Sequence, residues 1–103
     1  MKVTVLKDAA RVPIDLDARR VCVRPDAELI HLTFAAGQAL ETHANPFDVV
    51  FYVLEGAGEL EVWDERRAVT RDTAIEVPAG VMRGWRNTGK EDLRVLVIKL
   101  LGR

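Results

Sequence analysis

The sequence predicts an all-β protein, a sandwich or barrel of short strands. Three observations point there. Short segments rich in β-branched and aromatic residues recur along the chain, mostly alternating or continuously apolar. Turn-type residues separate them: Gly37, "EGAG", "WDERR", "PAGV" and "NTGKED". No stretch carries the 3.6-residue apolar period of an amphipathic helix.

Taken in chain order, the expected strands are "VTVL" (3–6), "ELIHLTF" (28–34), "VVFYVL" (49–54), "GELEVW" (58–63), "TAIEV" (73–77) and "LRVLVIKL" (93–100). In the first and second, branched residues alternate with polar ones or fill the run. The third opens after "NPFD" and closes at the "EGAG" turn, which leads directly into the fourth. Trp63 stands at the end of the fourth, where it reads as surface packing. Regular spacing of such strands is the pattern of a closed or double-sheet β architecture. Two strands, 49–54 and 93–100, are apolar on both faces. One face can fill the interior; the other calls for cover from a second sheet or a second subunit, so a homodimer is expected.

Composition bounds the rest. The chain has 103 residues, 49% hydrophobic and 30% charged, with a formal net charge of −1. That length suits one domain with its own core, residues 1–103, and no linker or low-complexity run divides it. Basic residues are not clustered: Arg19-Arg20 and Arg66-Arg67 read as solvated turns, so a nucleic-acid surface is not expected. The single cysteine, Cys22 in "RVCV", reads as a buried structural thiol in a reducing compartment. The N-terminal "MKVTVLKDAARV" lacks a long apolar core, so neither a signal peptide nor a membrane anchor is expected, and a cytoplasmic location follows. There is no serine, and Cys22 has no activating neighbour in sequence, which leaves covalent catalysis without a good nucleophile.

Two segments resemble the paired motifs of the cupin superfamily. Residues 37–56 are similar to the first motif, G-x5-H-x-H-x3-E-x6-G, with Gly37, His43 and Gly56 in register. Residues 72–87 are similar to the second, G-x5-P-x-G-x2-H-x3-N, with Pro78, Gly80 and Asn87 in place and Asp72 at the opening glycine, where a turn is expected. The resemblance spans roughly residues 28–100. It implies a jelly-roll barrel, the double-stranded β-helix, and adds weight to a homodimer.

The resemblance also implies three histidines and a glutamate for a divalent transition metal, and here the chain departs from the pattern. His43 remains, but the other ligand positions hold Asn45, Val49 and Arg83. One imidazole beside a guanidinium that cannot deprotonate does not hold a divalent ion, because catalytic sites keep three protein ligands. No cofactor is therefore expected. A rebuilt metal site would need His43, Asp48 and His31, with a bulge at Pro46-Phe47 turning Asp48 inward. Otherwise His31 is a strand histidine hydrogen-bonded to a neighbour.

If the ligand positions still face the interior, His43, Asn45, Val49 and Arg83 line a cup, joined by alternation by Phe51 and Trp85. Such a cup suits a small molecule, and the Arg83 fork matches a carboxylate or phosphate. Alternatively, Arg83 reaches solvent or pairs with Glu55 or Glu61. The expected function is binding of a small anionic metabolite without a conventional metal. The alternative is a cupin-type enzyme, a metal-dependent oxygenase or an isomerase, built around His43, whose imidazole could serve as a base.

Overall fold

The computed structural model describes residues 1–102. Ten strands form two antiparallel sheets. In chain order they are β1 (Ala10–Arg11), β2 (Asp17–Val23), β3 (Ala27–Phe34), β4 (Ala39–His43), β5 (Asp48–Glu55), β6 (Ala57–Val62), β7 (Glu65–Thr70), β8 (Thr73–Val77), β9 (Arg83–Arg86) and β10 (Leu93–Leu100). The larger sheet runs β1-β2-β3-β10-β5-β8 and the smaller β4-β9-β6-β7. A 3-10 turn at Leu6–Asp8 is the one helical piece among the described residues. The protein is all-β, as the sequence predicts.

Alternation explains how the sheets face each other. Along β5, Val49, Phe51 and Val53 are buried while Val50, Tyr52 and Leu54 are half-buried on the other face. β10 does the same with Leu93, Val95 and Val97, and β3 with Ile30, Leu32 and Phe34. Pairing in register, Val95 opposite Leu32 and Val53, stacks these inward sets into one core. One end of the sandwich is packed solid by Phe34, Val53, Leu60, Leu93 and Val95. The other end is hollow, and the site lies there.

The opposite face of the larger sheet is apolar as well. Leu29, Val50, Tyr52, Leu96 and Ile98 lie on it, joined across β3, β10 and β5 by the pairs Leu96–Tyr52, Ile98–Val50 and Ile98–Leu29. All five are half-buried.

Three sequence readings need correction. "VTVL" forms no strand: residues 3–5 are exposed and unpaired, and Leu6 starts the 3-10 turn. Arg66 and Arg67 lie on edge strand β7 instead of in a turn, and Arg19 and Arg20 lie on β2. Cys22 is half-buried on β2 and not fully enclosed. Other expectations hold. Asp72 occupies a turn at φ 63, and Trp63 is 58% exposed beyond β6.

Two of the matching motif residues are structural. Gly56 has φ +84, and a Cβ there would lie 2.3 Å from the Asp92 carbonyl oxygen, so a side chain is excluded twice over. Asn87 is 1% exposed, and its Nδ2 donates to the carbonyls of Phe34 (2.9 Å) and Glu91 (2.8 Å) while its Oδ1 accepts from Gly89 N (2.9 Å). Its backbone exchanges bonds with Gly37 and Gln38, tying the first motif to the second.

Candidate functional site

A half-open cavity of about 640 Å³ occupies the hollow end, between the two sheets. β9 supplies its polar centre. Arg83 and Trp85 are two apart on that strand and both point inward, while Gly84 between them faces out. A Cβ on Gly84 would lie 2.8 Å from the Leu40 carbonyl oxygen and 2.9 Å from Thr42 N. Its absence lets β4 close against β9. The β4–β9 register then shifts: Leu40 pairs with Trp85 and His43 with Arg83, so β4 carries an extra residue between these pairs. The bulge falls at Glu41-Thr42 and brings the His43 backbone over Arg83.

Arg83 is 4% exposed and has no carboxylate within ion-pairing distance among the described residues. Its Nη1 donates to the His43 carbonyl at 2.8 Å, and its Cζ lies 5.7 Å from the centre of the Phe51 ring. Burial pushes its pKa below the ordinary value, because removal from water disfavours the charged form. Its other nitrogens have no acceptor among the described residues, yet none of them is sealed away from water-sized space. They are therefore open to the cavity. Glu55 and Glu61, the sequence candidates for a partner, are elsewhere. Glu55 pairs with Arg94 at 3.1 Å, and Glu61 lies in a separate groove with Arg66 on the smaller sheet.

The walls are apolar. Phe51 meets Trp85 edge to face, with ring centres 5.3 Å apart and planes at 77°. Leu16, Ala18, Ile30, Leu32 and Val97 line the side formed by the larger sheet and the loop leading into β2. Trp85 Nε1 is a buried donor with no acceptor among the described residues. At the rim, Lys99 pairs with Glu28 at 3.3 Å and stands 5.8 Å from the Phe47 ring centre. His43 is exposed at the rim. Its Nδ1 lies 3.1 Å from the Glu41 carbonyl, which can only accept, so Nδ1 carries the proton and the Nε2 lone pair stays free.

The structure gathers His43, Asn45, Phe51, Arg83 and Trp85 around one cavity. Val49 is a correction: it is 2% exposed within the core and does not line the cavity. The rebuilt metal set His43, Asp48 and His31 does not converge. Asp48 is exposed, and its Oδ1 accepts from Ala79 N at 2.8 Å; no bulge at Pro46-Phe47 turns it inward. His31 lies on the outer face of the larger sheet, its Nε2 accepting from Arg94 Nε at 3.2 Å. No three His, Cys, Asp or Glu side chains come together among the described residues. One exposed imidazole, an amide, a core valine and a buried cation do not fit a divalent ion at the motif positions. Sequence reasoning missed Ile30, Leu32, Val97, Lys99 and Leu16. Alternation along β3 and β10 was the signal for the first three; for Leu16 and the loop beside it there was none.

A family model described as a cupin domain matches residues 30–99. The chain belongs to the cupin family. Solved structures agree with this cupin architecture over nearly its whole length. The TT1209 protein from Thermus thermophilus is 27% identical, with 100% of each chain covered and a TM-score of 0.84. A predicted oxalate decarboxylase from Thermotoga maritima is 15% identical, covering 97% of this chain and 99% of that one, TM-score 0.87. The polyketide cyclase RemF from Streptomyces resistomycificus is 20% identical, covering 100% and 81%, TM-score 0.86. A search of curated proteins finds no match. No helix among the described residues is long and apolar enough to cross a membrane.

Proposed function

We propose that this cupin binds a small anionic metabolite in its barrel cavity and that Arg83, not a metal, supplies the positive charge. The observation that carries the reading is the guanidinium itself: 4% exposed, without a carboxylate partner, and with free N–H groups open to a cavity of about 640 Å³. A buried charge of this kind is unfavourable alone, and a bound carboxylate or phosphate would compensate it. Asn45 can offer both donor and acceptor at the rim, and Phe51 and Trp85 cover the apolar part. A thermal-shift screen of metabolites against wild type and Arg83→Ala tests this. Anions should stabilise wild type and lose most of their effect on the variant; equal shifts for both, or none for wild type, would overturn it. Metal content of protein purified without added metal should be near zero and unchanged in His43→Ala.

A second reading is favoured by the free Nε2 of His43, a base at the rim of the cavity that Arg83 lines. Two fold relatives bear enzyme descriptions, a predicted oxalate decarboxylase and a polyketide cyclase. In this reading His43 takes a proton from a carbon next to the bound acid group. Deuterium uptake from solvent into a bound carboxylate, lost in His43→Ala, would favour it over binding alone.

Self-association belongs to the same proposal. A second copy packed about a two-fold axis on the apolar outer face of the larger sheet would cover Leu29, Val50, Tyr52, Leu96 and Ile98.

A further inference from the structure

The cavity is chemically lopsided. Its one fully buried charge is Arg83, on β9. Facing it across the sandwich, Leu16, Ile30, Leu32 and Val97 present hydrocarbon, each 6% exposed or less. The remaining polar lining, Asp15, Glu41, Thr42, His43, Asn45 and Lys99, is exposed or half-buried and belongs to the rim. Asp15 and Glu41 are acidic there, and Lys99 is already engaged by Glu28. A ligand rich in hydroxyls would bury them against these walls without partners, which is strongly unfavourable. A second anionic group would meet acids at the rim and no second free cation in the depth.

Building on the assignment of Arg83 as the anion site, we infer that the ligand is a monocarboxylic acid with an apolar body, aliphatic or aromatic, and not a sugar acid or a phosphate ester. Its carboxylate takes the free face of the Arg83 fork. Its hydrocarbon lies along Phe51 and Trp85 towards Ile30 and Leu32.

The test is calorimetric titration of wild type with butanoate, hexanoate, octanoate and 3-phenylpropanoate, beside glucuronate, glucose 6-phosphate and octan-1-ol. Affinity should rise about fourfold for each methylene that enters the cavity, the gain expected when a buried CH₂ leaves water. Arg83→Gln should weaken every acid by about tenfold or more, since it removes a charge-assisted pair. Ile30→Phe, which narrows the apolar end, should move the optimum to shorter acids while the melting transition shows the variant folded. Glucuronate or the phosphate ester binding more tightly than octanoate, with dependence on Arg83, would overturn the apolar-body inference and leave the anion site standing. Octan-1-ol binding as tightly as octanoate, or acids binding Arg83→Gln unchanged, would remove the anion site itself.

Discussion

Replacing Arg83 with methionine should make the empty protein more stable while abolishing anion binding. Methionine has a similar length and no charge. The structure allows the balance to be worked. The substitution loses the 2.8 Å bond to the His43 carbonyl, about 2 kcal/mol for a charged donor. It also loses the contact with the Phe51 ring, roughly 0.5–1 kcal/mol. Against this, an uncompensated buried ion carries an effective penalty of several kcal/mol. That penalty is reduced here because part of the guanidinium faces a half-open cavity that water can enter. The His43 carbonyl released by the change belongs to an exposed residue, so water replaces its partner. The net expectation is a gain of about 1 kcal/mol, equivalent to a rise of ~4 °C in Tm for a domain of this size. Urea unfolding and a thermal melt of both proteins without ligand provide the assay. A loss of about 1 kcal/mol or more would refute the reasoning. Arg83 would then be a structural tie between β9 and β4, its charge satisfied within the fold, and not a group held ready for an anion.

Other expectations are independent of the ligand. His31 is held neutral by burial first and by Arg94 second, with Asp17 opposing, so its pKa lies below the ordinary 6.5; Arg19 pairs opposite it on β2. The unfolded chain therefore binds the proton first as pH falls below 6.5, and stability falls until the folded protein is protonated as well. His31→Gln, which keeps an acceptor for Arg94, should flatten that part of a stability-versus-pH curve; an unchanged slope would contradict the assignment. Asn87→Ala leaves two carbonyls and one N–H without partners and should cost about 3 kcal/mol in urea unfolding; a cost below about 1 kcal/mol would show that the bonds are replaced by water. Wild type should sediment as a dimer at roughly tens of micromolar, and Leu96→Glu, at the centre of the outer apolar face, as a folded monomer. Wild type sedimenting as a monomer would remove the case for a second copy.

The sequence by itself determined the strand character of the chain. A period of two needs no tertiary information, and so β3, β5, β6, β8 and β10 were legible within a residue or two of their ends. Its motif register also located Gly37, Gly56, Gly80 and Asn87, and it placed Arg83, Asn45 and Val49 where metal ligands would stand. The structure decided what local patterning does not encode. β2, β7 and β9 carry "DARRVCV", "ERRAVT" and "RGWR". They become strands because neighbours supply ladder partners; Arg66 and Arg67 on edge strand β7 and Arg86 on β9 keep their charges in water, whereas Arg83 is buried. "VTVL" has β propensity but no partner within the chain, so it pairs with nothing. Val49 is at a ligand position yet is buried in the core and does not line the cavity, and Asp48 is drawn away by Ala79 N. Which wall faces Arg83 depended on packing two sheets whose inward residues are far apart in sequence. The pairing state of Arg83 also depended on contacts with β4 across the Glu41-Thr42 bulge, and such non-local contacts leave no periodic trace in the chain.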